Sequence, residues 1–198
     1  YIGGSDIPII MDLSPFKTRE ELLKEKAFEL ESEFEGNAFT DYGHAMEPKI
    51  REYINNTFGY HFQEYREVSE GCRIHLDGYD DILGGIVLEV KTTGTVKDTE
   101  EENLAYKVQL LYYMEKTKAK KGLLAIYKRP EDFSEVFDED RLAVIVVERE
   151  DNQELIQQIM TAVDNFEKDK ERLKENPELT SEDLIPEDLQ QLAIEYKK

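Results

Sequence analysis

The chain has 198 residues, a formal net charge of −20 and a single cysteine, Cys72. One cysteine excludes an intrachain disulfide, a four-thiolate zinc site and an iron–sulfur cluster, and it favours a reducing cytoplasm. The length suits one domain, and the apolar run LAVIVV at 142–147 is far shorter than the roughly 20 residues of a membrane helix.

The first part of the chain is predicted to be helical. A short helix is expected over IPIIM at 7–11, with Ser5 or Asp6 as its cap. A second helix follows Thr18, which forms a capping box with Glu21 ahead of an apolar run.

A longer helix, from about Tyr42 to Phe58, carries an acid within its apolar stripe. Glu47 shares a helical face with Ile50, Ile54 and Phe58, at offsets of 3, 7 and 11 residues. Because a buried acid needs a partner or a metal, Glu47 is a candidate site residue.

The middle of the chain is predicted to form strands. Short β-type runs occur around Tyr65 and at CRIHL (72–76), and DGYDDILGG (77–85) is typical of a turn. IVLEVK (86–91) follows as a strand.

The remaining elements are predicted from their periodicity: a helix at 104–116, strands at 122–128 and 141–148, a long amphipathic helix at 152–174, and a short last helix from Pro186. This order predicts an α/β fold in which helices cover a mixed sheet. We expect one domain over 1–198, with its core at about 1–147 and a helical extension at about 148–198.

The strand at 86–91 places an acid and a base on one face. Side chains alternate along a strand, so Glu89 and Lys91 point the same way. Asp77, expected at the end of the preceding strand before Gly78, would reach Glu89 through a turn. Two carboxylates make an oxygen site suited to Mg²⁺ or Mn²⁺, to which the carbonyl of Val90 could add a third ligand. The alternative is a cross-strand ion pair on a solvated face.

Basic residues are concentrated in one segment, KTKAKKGLLAIYKR at 116–129, which has six of them and no acid. One interpretation is a solvated helix end whose cations complement the helix dipole. The other is a salt-sensitive contact with DNA, for which Lys118, Lys120 and Lys121 are the candidates. The three histidines, at 44, 61 and 75, are too scattered to predict a metal site and are interpreted as packing or surface residues.

Five short motifs occur in a recognisable order: GGSD (3–6), YGHAMEP (42–48), LDG (76–78), LEVK (88–91) and VQLLYYM (108–114). In these motifs the chain resembles phage-type recombination exonucleases, the lambda exonuclease and YqaJ-like branch of the PD-(D/E)XK nuclease superfamily. The resemblance covers about residues 1–147 and implies a restriction-endonuclease-like core. Leu76 stands where the superfamily pattern has proline.

The resemblance implies roles for individual residues. Asp77 and Glu89 would bind the metals, and Lys91 would position or deprotonate the attacking water. Glu47 would complete the metal environment, and Gln109 would contact the active site. Ser5 matches the family serine that touches a DNA phosphate.

The implied activity is that of a Mg²⁺-dependent deoxyribonuclease, with Mn²⁺ able to substitute. It would resect linear double-stranded DNA from an end, 5′ to 3′, and leave single strands for phage-type homologous recombination in a bacterial host's cytoplasm. The implied partners are duplex DNA ends, a single-strand annealing protein and further copies of the chain in a ring-shaped homotrimer.

Two alternatives remain open. An endonuclease would use the same active site, because the motifs encode cleavage and not the recognition of an end. A non-catalytic acidic protein, binding as a DNA mimic on a nuclease scaffold, would explain the strong negative charge.

Overall fold

The structure is a computed structural model that describes residues 1–30, 36–69, 71–95 and 98–184. Within these ranges, five α-helices flank a six-stranded mixed sheet, which confirms the predicted fold class. The strands are β1 (Ile2–Gly3), β2 (Gln63–Ser69), β3 (Cys72–Asp80), β4 (Ile86–Thr93), β5 (Lys121–Lys128) and β6 (Leu142–Glu148). The helices are α1 (Ile7–Ile10), α2 (Arg19–Phe28), α3 (Ala38–Phe58), α4 (Leu104–Thr117) and α5 (Gln153–Glu175).

The expected helix from Pro186 lies outside the described residues. In the part of the chain that is described, no helix combines the length and apolarity needed to cross a membrane.

One edge of β3 is shared by two strands. β1 pairs in parallel with β3 at Cys72 and Arg73, and β4 pairs antiparallel with Gly78–Asp80. β2 pairs with both of these regions of β3, so β1 and β4 must occupy the opposite edge. The residues between them, 74–77, have no strand partner on that edge among the pairings described. The sheet therefore has a gap beside β3.

A β-bulge lies at this gap. Leu76 pairs with Tyr65 of β2 and Tyr79 pairs with Gln63, so Asp77 and Gly78 together face a single β2 residue. The expectation that Asp77 ends its strand is wrong, because β3 continues to residue 80 and the turn follows it. The bulge, and not a turn, aims the Asp77 side chain at β4.

Two apolar clusters cover the two faces of the sheet. One includes residues of α1, α2, α4 and α5, and the other includes residues of α3. Val87 belongs to the first cluster, and Ile86, Leu88 and Val90 belong to the second, which confirms the predicted alternation along β4. Glu89, in the same alternation as Val87, points to the α4 side.

Helix α3 begins earlier than predicted, because Asn37 caps it and Ala38 is its first residue. The side chain of Asn37 accepts hydrogen bonds from two main-chain N–H groups of the first turn. The buried stripe of α3 consists of Tyr42, Met46, Ile50 and Ile54. Phe58 is 55% exposed, so its predicted place in this stripe is wrong.

The predicted capping box of α2 is confirmed, with Thr18 and Glu21 each bonding the other's main-chain N–H. The predicted cap of α1 is not found, since no side chain caps that helix. Asp6 instead accepts the N–H of Gly3 at 2.8 Å and pairs with Lys26.

Candidate active site

A cavity of about 540 Å³ opens beside the gap in the sheet. It lies between α3, α4 and the start of the chain. Every residue to which the sequence analysis assigned catalysis or metal binding lines it, as does the serine expected to touch DNA: Ser5, Glu47, Asp77, Glu89, Val90, Lys91 and Gln109.

Glu89 is buried at the base of this cavity, with 2% of its surface exposed. Its Oε1 accepts a hydrogen bond of 2.8 Å from Gln109 Nε2 and lies 2.8 Å from Lys91 Nζ. Its Oε2 is buried and has no hydrogen-bond partner among the described residues. The alternative of a cross-strand ion pair on a solvated face is not found, because Glu89 and Lys91 pair within β4 and the acid is buried.

Asp77 reaches across the gap from its bulge to β4. Its Oδ2 accepts the main-chain N–H of Val90 at 2.7 Å. Burial, followed by the negative charge of Glu89, raises the pKa of Asp77 well above its usual value, although Lys91 acts in the opposite direction. The acidic pair thus resists full ionisation unless a cation joins it.

Lys91 supplies the nearest positive charge. Burial lowers its pKa, but the carboxylates of Glu89 and Asp77 outweigh burial, so the pKa is raised above its usual value. Its Nζ also lies 5.5 Å from the centre of the Tyr106 ring. The two acids thus favour the charged form of Lys91.

Glu47 faces the cavity from α3 and is held by Arg51 one helical turn later. Arg51 Nη1 donates to Glu47 Oε1 at 2.9 Å and also to the main-chain oxygen of Asp77. Arg51 thus joins the helix-borne acid to the bulge. Arg51 was not predicted as a site residue, although its i, i+4 spacing from Glu47 is visible in the sequence.

The donor set fits a divalent metal in one respect. A buried carboxylate oxygen without a partner is costly, and a cation at Glu89 Oε2 would satisfy it. Within the described residues, no group of three or more His, Cys, Asp or Glu side chains is arranged to hold a metal. Mg²⁺ commonly binds through one or two carboxylates and completes its shell with waters and substrate phosphates.

Helix α4 and the start of the chain close one side of the cavity. Gly4 lies so close to the ring of Tyr113 that a Cβ at this position would overlap the ring. Ser5 follows in a 3₁₀ turn and is exposed at the cavity. Gly4 therefore allows the chain to approach α4 closely.

Several residues that the sequence analysis did not assign to the site also line the cavity. Two of the histidines, His44 and His75, are among them, and so is Arg73. His75 is bonded to Glu64 of β2 at 2.7 Å. Along CRIHLD, His75 is two residues and Arg73 four residues before Asp77, and this even spacing was a visible sign that the three share one face of a strand.

Lys118, Lys120 and Lys121 are not part of the cavity lining. Lys121 is the first residue of β5, about 16 Å along that strand from Ile126, which pairs with Lys91, and Lys118 and Lys120 lie between α4 and β5. Lys118 pairs with Glu115, and Lys121 lies 3.3 Å from Glu148. Their contact with DNA stays a prediction.

Comparison with known proteins adds a family and a fold. Residues 1–120 match the family model of the YqaJ-like viral recombinase domain. No curated protein matches the chain significantly in sequence.

Three solved structures are similar over most of their length. LHK-Exo in complex with dAMP is 20% identical with a TM-score of 0.65, and the match covers 88% of this chain and 89% of that one. The alkaline exonuclease LHK-Exo from Laribacter hongkongensis is 21% identical, with a TM-score of 0.63 and the same coverage. A phage-related exonuclease from Haemophilus somnus 129PT is 18% identical, with a TM-score of 0.66 and coverage of 87% and 94%. At these identities the likeness establishes the fold.

Proposed function

The chain belongs to the YqaJ-like viral recombinase domain family, and on this premise we propose that it is a metal-dependent exonuclease of the phage recombination type. Its substrate would be linear double-stranded DNA, cut from an end. The observation that carries the proposal is the buried Glu89 carboxylate, which has one oxygen held by Gln109 and Lys91 and the other without a partner.

A bound Mg²⁺, for which Mn²⁺ would substitute, would be held by Asp77 and Glu89, with Glu47 and the Val90 carbonyl as further oxygen donors, and would offset phosphate charge and lower the pKa of a bound water. The protein's own groups prepare this arrangement. Gln109 and Lys91 fix one oxygen of Glu89 and leave the other free to bind.

Lys91 would act on the phosphate. Its ammonium group carries a positive charge at the edge of the cavity, with 25% of the side chain exposed. Negative charge grows on the oxygens of the phosphate as the nucleophile adds, and a fixed cation nearby stabilises it. Arg51 would keep Glu47 and the bulge at Asp77 in register during this step.

The proposal includes the mode of cutting, its direction, the oligomeric state and a protein partner. Exonucleases are named among the structural neighbours, which supports cutting from an end over internal cutting. We further propose 5′-to-3′ resection, a homotrimeric ring and a single-strand annealing protein as partner, all on the resemblance of the motifs. The single cysteine suits the proposed setting in a bacterial cytoplasm.

Incubation of linear and of closed circular duplex DNA with Mg²⁺ tests the proposal. We expect loss of the linear DNA alone, and none when a chelator is present. Cutting of the circle would favour the endonuclease. Binding without any cutting, at all metal concentrations, would favour the non-catalytic acidic protein.

A matched pair of variants ties the activity to the site. Glu89→Gln should abolish cleavage, because a neutral amide cannot hold the metal as a carboxylate does. Glu67→Gln removes the same charge from an exposed residue of β2 outside the cavity and should cleave normally. Equal activity of the two variants would refute the assignment.

A further inference from the structure

Two arginines near the cavity lack the acidic partner that the others have. The chain has eight arginines. Six form ion pairs with a carboxylate: Arg19, Arg51, Arg66, Arg141, Arg149 and Arg172. For Arg73 and Arg129, no carboxylate among the described residues lies within ion-pair distance. In a chain of charge −20, one of these exceptions lines the cavity and the other lies against Phe39, which lines it.

Arg73 lies where β1 meets β3. It is exposed, lines the cavity, and stands opposite Gly3 in the β1–β3 register, which places it near Ser5. On the adjoining strand β2, the acid on the same face as Arg73 is Glu64, which is already bonded to Arg66 and His75. The guanidinium of Arg73 therefore faces the cavity without a described partner for its donors.

Arg129 lies on the other side of β4, directly after β5. Its main-chain N–H donates to Thr93 at 2.7 Å, which fixes it beside the end of β4. Its guanidinium lies 4.3 Å from the centre of the Phe39 ring and 5.0 Å from that of Phe133. Phe39 lines the cavity. A guanidinium stacked on rings keeps its N–H edge free to bind an anion.

We propose that Arg73 and Arg129 bind DNA phosphates on opposite sides of the catalytic cluster. The strand order β3–β4–β5 puts Glu89 and Lys91, on β4, between the strand that carries Arg73 and the strand that Arg129 follows. The planar fork of arginine matches phosphate geometry with two parallel hydrogen bonds. The inference rests on the proposed function, because it assumes that a DNA strand crosses the cavity.

The strand geometry limits which phosphate Arg73 would bind. Four residues separate it from Asp77, which is about 13 Å along β3. One strand of duplex DNA advances about 3.4 Å per nucleotide along the helix axis. Arg73 would therefore hold a phosphate within about four nucleotides of the one that is cut. Arg129 would hold a phosphate on the other side.

Binding of a short linear duplex, measured by fluorescence anisotropy with chelator present so that nothing is cut, tests the two contacts. Arg73→Gln and Arg129→Gln should each raise Kd about tenfold. Each should also lower the slope of log K against log salt by about 0.9, the value of one duplex-phosphate contact. Arg73→Lys keeps the charge without the fork and should lose less than Arg73→Gln.

Arg66→Gln is the matched control. It removes the same charge from an exposed arginine on the neighbouring strand that is paired with Glu64 and does not line the cavity. We expect its Kd and salt slope to equal those of the wild type. A loss equal to that of Arg73→Gln would show a general charge effect and overturn the inference.

A scan of the cut strand with single neutral methylphosphonates locates the contacts. Wild type should lose affinity at a phosphate on each side of the cleavage point. Arg73→Gln should be insensitive at one of these positions and Arg129→Gln at the other. The contact that the methylphosphonate removes is already absent in the corresponding variant. Variants that keep the wild-type sensitivity at every position would refute the contacts. Failure of the wild type to bind DNA would refute the proposed function as well. If the wild type binds and cuts DNA, unchanged variants refute only the two arginine contacts.

Discussion

The carboxylates of Asp77 and Glu89 lie together in the cavity. Lys91, on the same strand as Glu89, is the positively charged neighbour that acts on both of them. Such a pair is unfavourable while both are ionised and becomes favourable when a cation binds them. The same contact therefore destabilises the metal-free protein and prepares the proposed metal-bound one.

Burial of Asp77, together with this repulsion, predicts that Asp77→Asn stabilises the metal-free protein. The pKa of Asp77 is raised in the folded state, so the folded protein holds its proton more tightly than the unfolded chain does. Stability is then lost as pH rises above the unfolded pKa, and the asparagine removes this loss. We expect a gain of about 1 kcal/mol at pH 7, in urea unfolding with chelator, that shrinks near pH 4. A variant less stable than the wild type at pH 7 would contradict the argument.

For Lys91, the position at the edge of the cavity predicts a loss of turnover with little loss of DNA binding. Lys91→Ala should reduce kcat by about a hundredfold or more, because its charge is proposed to act mainly in the transition state. Single-turnover rates and Kd, measured side by side, check this. Lys91→Arg should recover little, since the larger guanidinium does not fit the contact with Glu89. A parallel loss of kcat and affinity would instead indicate a simple phosphate contact.

Side-chain alternation was enough to predict that Glu89 and Lys91 share a face, because a strand has a period of two. The contacts around Glu47, by contrast, were only partly predictable from the sequence. Arg51 joins Glu47 to the main chain of Asp77, and that second bond depends on how α3 packs against the sheet. A charged residue's partner across the fold leaves no periodic pattern in the sequence.

At the scale of elements, the bulge in β3 is the feature that forms the site. It turns Asp77 toward Val90 in a gap that β1 and β4 leave between them. The sequence predicted a turn there because Asp and Gly cluster from residue 77 onward. A bulge is defined by the register of two strands, and that register is set by tertiary packing.

Gly78, in this bulge, has no room for a side chain, so Gly78→Ala should destabilise the fold. A Cβ there would lie 2.8 Å from the Cβ of Phe62 and 3.0 Å from that of Leu88, both buried. Overpacking of this kind costs about 1–3 kcal/mol, which chemical unfolding would measure. Gly43→Ala is the control, because its Cβ would meet only the Thr92 hydroxyl at 3.5 Å and alanine favours the helix. Equal stability of the Gly78→Ala variant and the wild type would mean that β3 can shift without cost.

At the scale of the whole molecule, the order of helices and strands predicted the mixed sheet, because each segment has a clear period. The sharing of one β3 edge by β1 and β4 was not predictable, since β1 is only two residues long and has no periodicity of its own. The start of the chain thereby enters the site through tertiary contacts with α4 and β3.

The net charge of −20 sets a last prediction, on the basic segment at the start of β5. Repulsion between the chain and DNA makes binding depend on the few cations that no acid neutralises. Lys118 and Lys121 pair with acids, whereas Lys120 is exposed and has no acidic partner within the described residues. We therefore expect Lys120→Gln to lower the salt slope of DNA binding by about 0.9, and Lys118→Gln and Lys121→Gln to lower it by less. Anisotropy titrations over a range of salt concentrations measure all three slopes. Three unchanged slopes would show that the segment is a solvated helix end, and three equal falls would show that the ion pairs open when DNA binds.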